Sequence, residues 1–305
     1  MSYEHIFDEM QIDTTPFALC ELHGKCDLGI GRLSGATLHY ILSGRGEIIF
    51  QDEPRIAIKQ GSLVLVPAHK AHTLRSFGET GEPIPSCRPA ELDLERHLAK
   101  DARTESDGVL LAICGDVKVG LRGASGLVDL IREPIVEHID ENSSLYTSVV
   151  QLLSELASPT IGSRAMVRAL LLQCMIYLLR KRLVAQDTAL NWMTALIDEG
   201  LWNALRLMLD NPGHCHSVES LADVAGMSRS SFAERFSTAY GSGPMKLLRR
   251  LRMNLACSML VQSNLPVKRI AERVGFSSRS AFTRAFETVT GMSPRRFRAT
   301  RNRVQ

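Results

Sequence analysis

Two different rhythms of apolar and polar positions divide the chain. Through its first 120 residues the apolar positions come in short runs punctuated by Gly and Pro, at residues 37–42, 46–50, 55–58, 62–66 and 109–113. Runs of that length and spacing predict strands, and strands so placed predict a small barrel or jelly roll over residues 17 to about 120. Beyond that point apolar residues recur every three or four positions, at 126–139, 146–156 and 163–183. This is helical spacing, and it predicts helices flanking the barrel. Such stripes serve equally for packing on the chain's own barrel or for pairing with a second subunit.

The last third carries one pattern twice. Val218, Leu221, Ala222, Gly226, Ser228, Phe232, Phe236, Gly241 and Pro244 return as Val267, Ile270, Ala271, Gly275, Ser277, Phe282, Phe286, Gly291 and Pro294, with one extra residue between the serine and the first phenylalanine. Each copy reads as a helix, a tight turn at Gly, a serine near an N-cap, and a second helix with phenylalanines four apart on its inner face. That is a helix-turn-helix, the architecture of a reader of duplex DNA. Between the copies Pro244 opens a run with Leu247, Leu248, Leu251, Leu255, Met259 and Leu260 at helical spacing. A helix over residues 245–261 is about 25 Å long. It suits two recognition helices set about one DNA turn, roughly 34 Å, apart on one face of the duplex.

Charge follows the same division. Residues 213–305 hold 16 Lys and Arg against 5 Asp and Glu, a net +11, while the preceding residues carry −8. The overall +3 therefore conceals a polarised molecule whose basic part releases counterions from phosphates.

Residues 213–301 resemble the DNA-binding domain of AraC-type transcriptional regulators, most closely in the second copy from Ile270 to Phe286 and at Gly291, Met292, Ser293 and Pro294. The resemblance implies a seven-helix, two-motif DNA-binding domain joined to an effector or dimerisation domain. The fold class expected is α+β in two domains: a β-barrel with flanking helices over residues 1–190, then an all-α domain over residues 191–305 with two helix-turn-helix motifs joined by a linker helix. In the first copy the recognition helix starts near Ser228 and exposes Arg229, Ser230, Ala233 and Glu234. Glu234 suits a cytosine amino group and Arg229 a phosphate. In the second, Arg279, Ser280, Thr283 and Arg284 face outward, and the two arginines are the candidates for gripping guanine. The alternative for Arg284 is a phosphate contact or an ion pair with Glu287.

In the front half, Gly61, Pro67, His69 and His72 resemble the second motif of the cupin family, and residues 40–46 resemble the turn before it. Cupin enzymes hold a metal with three histidines and a carboxylate. Here His72 and His39 are the candidates, Thr37 stands where another histidine is expected, and the glutamate position falls on Ser43 or Gly44. Two ligands make a poor transition-metal site, so the expectation is a metal-free sensor barrel with no cofactor, in which His39 and His72 border an effector pocket. The rival reading is a metal-dependent cupin isomerase or dioxygenase with a nucleic-acid-binding tail. The depleted ligand set and the doubled motif argue against an enzyme.

Seven cysteines remain: Cys20, Cys26, Cys87, Cys114, Cys174, Cys215 and Cys257. Cys174 and Cys257 fall in apolar helical phase and read as core. Cys20 and Cys26 flank His23 and Lys25, whose positive character favours thiolate, Cys87 lies in a Pro-rich loop, and Cys114 ends an apolar strand. The front half is similar to a cupin-bearing AraC subgroup that senses hypochlorous acid or related oxidants through an early and a late cysteine, which implies Cys20 and Cys114. A small-molecule effector, or none, remains open beside it. The N-terminus lacks a signal-peptide pattern and the most apolar stretch, 165–184, is broken by charges, so a cytoplasmic protein is expected. The expected partners are double-stranded promoter DNA, RNA polymerase, a small-molecule or oxidant effector and a second copy of the chain, with no membrane.

Overall fold

The computed structural model describes residues 3–33, 35–51, 53–68, 70–77, 85–99, 108–121, 124–125, 131, 133–185 and 191–300. The chain forms two compact units, one of residues 9–123 and 127–190, the other of residues 191–305 together with 1–8 and 124–126.

The first unit is built on two antiparallel sheets. The larger contains β1 (Met10–Thr14), β2 (Ala18–His23), β4 (Ala36–Ser43), β7 (Ser62–Val66), β9 (Ser86–Pro89), β10 (Val109–Leu121) and β12 (Ile135–His138), in the order β12-β7-β4-β10-β2-β9, with β1 pairing the far end of β10. The smaller contains β3 (Asp27–Ile30), β5 (Arg45–Ile49), β6 (Ile56–Lys59) and β8 (His72–Ser76), in the order β3-β8-β5-β6. The interior is filled by Leu22, Ile41, Ile48, Phe50, Ile58, Val64, Val66, Leu74, Leu110 and Ala112, together with Cys20, Cys26 and Cys114. Each large aliphatic or aromatic group so buried contributes about 1.5–3 kcal/mol. The chain passes from β4 to β5 through Gly44 at φ +84°, where a Cβ would lie 2.1 Å from the Val109 carbonyl oxygen, so only glycine fits that turn.

Helices α2 (Ala90–Ala99), α3 (Ser144–Ala157) and α4 (Ser163–Val184) belong to this unit. Val149, Leu152 and Leu153 of α3 and Cys174 of α4 meet Leu38, Tyr40, Leu63 and Ile113 on the outer face of the larger sheet. That double covering explains why β7 is buried at all five positions. The helix expected over residues 126–139 is corrected in its described part: residues 135–138 are strand β12, in register with β7 from Ile135↔Leu65 to His138↔Ser62. Pro134 disfavours a helix interior and β-branched Ile135 and Val136 suit a pleated edge. Residues 126–130, and His69 of the cupin-like motif, lie outside the described residues. Residues 109–113 are the start of a longer strand, since β10 runs thirteen residues and pairs with β2, β4 and β1 in turn.

The second unit is helical: α5 (Asn191–Ile197), α6 (Glu199–Asp210), α7 (Val218–Val224), α8 (Arg229–Tyr240), α9 (Pro244–Gln262), α10 (Val267–Arg273), α11 (Arg279–Thr290) and α12 (Pro294–Thr300), with α1 (Tyr3–Asp8) and β11 (Ala124–Ser125) grouped alongside. Helix α9 is the spine. Its N-terminal half buries Leu247, Leu248 and Leu251, and its C-terminal half gives Met253, Ala256, Cys257 and Leu260 to a core closed by Ile270, Val274, Phe282, Phe286 and Phe297.

Candidate functional site

The two recognition helices are made alike. Ser228 caps α8 by accepting from the Ser231 N–H, and Ser278 caps α11 by accepting from the Ala281 N–H. The extra residue of the second copy makes Ser278, the serine after Ser277, the capping one. Inward, Phe232 stacks on Phe236 at 5.3 Å and Phe282 on Phe286 at 5.6 Å, all four fully buried. Those rings fix which side of each helix faces out. On that side stand Arg229, Ser230 and Glu234 of α8 and Arg279, Ser280 and Arg284 of α11, all exposed, with Ala233 and Thr283 half-buried between them. Ser230 and Ser280 each lie 3.3 Å, oxygen to oxygen, from their capping serine. The Arg229 guanidinium rests 2.9 Å from the Glu219 carboxylate, an exposed pair of the kind that contributes little in water. Arg235, also on α8, is instead held by Asp198, the cap of α6.

In the barrel, strand register assembles a cluster of thiols and imidazoles. Cys20 on β2 lies directly opposite Cys87 on β9, and their sulfurs are 2.8 Å apart. Cys20 shares the same core with the thiol of Cys114, which sits on β10 two residues along from the partner of Cys20, Ala112, and acts on its titration. Cys114 lies opposite His39 on β4, with Sγ 3.0 Å from Nδ1, and His39 Nε2 is 2.8 Å from His72 Nε2. The chain of contacts ends where His72 Nδ1 donates to the Lys70 carbonyl at 3.0 Å. Cys87 is exposed and Cys20, Cys114, His39 and His72 are buried, so the chain runs from the surface inward. Cys26 is buried in the same core, where its backbone N–H donates to Ser76 Oγ at 3.2 Å.

Burial sets the protonation of this cluster. Desolvation holds both imidazoles near pKa 4, so both are neutral around pH 7, with the charge of the neighbouring His39 adding to the effect at His72. Cys114 and then burial push the Cys20 thiol up, while the hydrogen bond with Cys87 works the other way; the hydrogen bond with Cys20 and then burial push Cys87 up.

A cupin metal does not fit these residues. The two imidazole Nε2 atoms point at each other at hydrogen-bond distance, and among the described residues no three His, Cys, Asp or Glu side chains are placed to share a metal ion. Neither histidine borders the cleft of about 250 Å³ on the outside of the unit, which is lined instead by Asp13, Phe17, Glu155, Arg164, Val167 and Arg168 among others.

No helix among the described residues is long and apolar enough to cross a membrane. A cupin family matches residues 4–183 and a helix-turn-helix domain family matches residues 221–300. A putative AraC-like transcription regulator of Streptomyces antibioticus is 32% identical over 258 residues, covering 81% of this chain and 80% of that one. The RCS-specific HTH-type transcriptional activator RclR of Escherichia coli is 27% identical over 273 residues, covering 88% and 86%. Among solved structures, ToxT of Vibrio cholerae shares the fold over 94% of this chain and 98% of its own, with a TM-score of 0.51 at 11% identity. With a cupin front and a doubled DNA-reading motif behind it, the chain belongs to the AraC-type family of DNA-binding transcriptional regulators.

Proposed function

We propose that this regulator reads oxidation of its barrel cysteines and answers by changing how it binds promoter DNA. The observation that carries the reading is Cys20, a buried thiol with one thiol partner at the surface, Cys87, and another inside, Cys114. The thiol neighbours and burial that raise the Cys20 and Cys87 thiols keep them protonated at neutral pH. Such thiols are sluggish towards mild electrophiles and disulfides, which favours a vigorous oxidant such as hypohalous acid. The chemistry balances: the oxidant transfers its halogen to a thiol sulfur and leaves as water, the second thiol displaces halide to close the disulfide, and two thiols have lost two electrons and two protons. The similarity to RclR, described as RCS-specific, supports this choice.

A second reading, a small-molecule effector, is supported by the outer cleft, whose Arg164 and Arg168 flank apolar Phe17 and Val167. Binding to promoter DNA in the presence of excess random competitor, with reduced and briefly oxidised full-length protein, separates the two. A change on oxidation that reductant reverses supports the thiol reading; indifference to oxidation refutes it and leaves the cleft.

On the DNA side, Arg279 and Arg284 read bases, Glu234 accepts from a cytosine, and Arg229 with the serines anchors on phosphates. The working unit is a homodimer joined through the outward side of α4, where Ala169, Leu172, Ile176 and Tyr177 border a groove and Met166 and Val184 are 52% and 86% exposed. It acts in the cytoplasm, in reach of RNA polymerase, with residues 1–190 as sensor and 191–305 as DNA-binding domain.

A further inference from the structure

We propose that Arg252 is a positioning residue that clasps the two helix-turn-helix motifs together and so sets the spacing of DNA boxes the protein accepts. Arg252 lies in the middle of α9 and spends its fork of donors on backbone carbonyls from both sides. Nε donates to the Pro212 carbonyl at 2.8 Å and Nη2 to the His214 carbonyl at 2.8 Å, both on the segment that leads into the first motif. Nη1 reaches the Gly275 carbonyl at 3.4 Å, at the turn of the second motif. A guanidinium suits this because its donors are planar and fixed relative to one another; an ammonium presents a single point.

The backbones themselves touch at the clasp. A Cβ on Gly213 would lie 2.0 Å from the Arg273 carbonyl oxygen, and one on Gly275 would lie 2.5 Å from the Gly213 oxygen and 2.9 Å from the guanidinium carbon of Arg252. Gly275 also holds φ +79°, the left-handed conformation the turn demands. The equivalent glycine of the first motif, Gly226 at φ +65°, has nothing within 4 Å of its Cβ position. The turns therefore differ in duty. The first lies against α6, where a Cβ on Gly200 would be 2.5 Å from the Ala225 carbonyl oxygen, while the second is docked on the lead-in of the neighbouring motif.

That docking matters for two recognition helices on one polypeptide. Once the first sits in its groove, the second meets its own groove at an effective concentration set by how firmly it is held at the right distance. A firm clasp raises affinity for correctly spaced boxes and penalises the rest. The proposal rests on the reading that both helices engage one duplex.

The test measures binding of full-length wild-type, Arg252→Ala, Arg252→Lys and Gly213→Ala proteins to three kinds of duplex: natural spacing, one or two base pairs inserted between the boxes, and one box scrambled. Arg252→Ala is expected to lose about tenfold on the natural duplex, a part of the roughly 10²–10⁴ that linking two sites supplies, because helix α9 still joins the motifs. It should lose little on the single-box duplex, and its preference for natural spacing should flatten. Arg252→Lys should fall between. Gly213→Ala keeps the arginine and wedges the contact, so it should flatten the preference as well; melting curves identify any variant that fails to fold, and the others then decide. Equal losses on natural and single-box duplexes, or a spacing preference unchanged in the folded variants, would overturn the role of Arg252. Wild-type protein indifferent to scrambling either box would overturn the two-motif reading beneath it, a result distinct from the first two.

Discussion

Glu234 and Arg284 occupy the same place in two matching helices. Each lies six residues after its capping serine, exposed, two residues before a fully buried phenylalanine, Phe236 or Phe286. The backbone carbonyl of each accepts from a threonine hydroxyl one turn on, Thr238 at 3.0 Å and Thr288 at 2.9 Å. Identical scaffolds thus present a carboxylate in one motif and a guanidinium in the other. If these two side chains read bases as proposed, the site is asymmetric and a single chain has a preferred direction along the duplex.

Replacing Arg284 with Ala should weaken the specific site by about tenfold or more, since a bidentate guanine contact is worth about 1–3 kcal/mol of discrimination. Binding to random DNA should change by no more than the one phosphate-scale contact it shares. Competition binding against specific and random duplexes measures both, and equal losses would reduce Arg284 to a backbone contact.

The doubled motif was legible because its signals are local: a turn glycine, a capping serine and phenylalanines four apart specify each unit from within a span of about twenty residues. The barrel was legible only as a rhythm. Strand β12 was hidden because residues 135–138 earn their conformation from β7, some seventy positions away, and the three-residue apolar spacing around them imitates a helix. The thiol cluster was half visible. Cys20, Cys87 and Cys114 stand out as residues, but it is the register of β2 with β9 and of β10 with β4 that places Cys87 opposite Cys20 and His39 opposite Cys114. Pairing between distant strands is set by the whole sheet. Arg252 left no trace either, because backbone carbonyls, its partners, belong to every sequence.

Oxidation with one equivalent of hypohalous acid should link Cys20, as read by mass mapping of unreduced peptides. Cys20→Ser should abolish the link together with any oxidant-induced change in DNA binding. Cys174→Ser should leave both intact, because that thiol is buried under α3 on the outside of the sheet and desolvation pushes it up to about 12. A Cys20→Ser protein that still responds to oxidant would remove the barrel thiols from the signal.

If α4 joins two copies, a charge at the centre of its outward side should part them. Ile176→Glu should halve the mass seen by sedimentation without lowering the melting temperature, since Ile176 is only half-buried within its own chain. A wild-type protein that sediments as a monomer at every concentration, with and without DNA, sinks the dimer.

The imidazole pair makes stability depend on pH in a window of its own. His39 and His72 titrate near 4 in the folded barrel and near 6.5 in an unfolded chain. Between those values the unfolded state binds protons that the folded state refuses, so stability falls as pH drops from 6.5 to 4 and levels off below. For His39 alone the full loss is about 3 kcal/mol, at 1.36 kcal/mol for each pH unit of difference. Asp27 works in a separate window: Arg75 beside it holds its carboxyl below the usual range, so its contribution is lost only as pH falls below about 4. Urea midpoints measured at pH 7 and pH 5 should therefore differ in the wild type. In His39→Gln the amide does not titrate, so the difference should shrink even though lost contacts with Cys114 and His72 lower its stability at pH 7. Equal pH dependence in the two proteins would mean that His39 titrates in the folded barrel as it does in the unfolded chain, and desolvation would then not be holding its imidazole down.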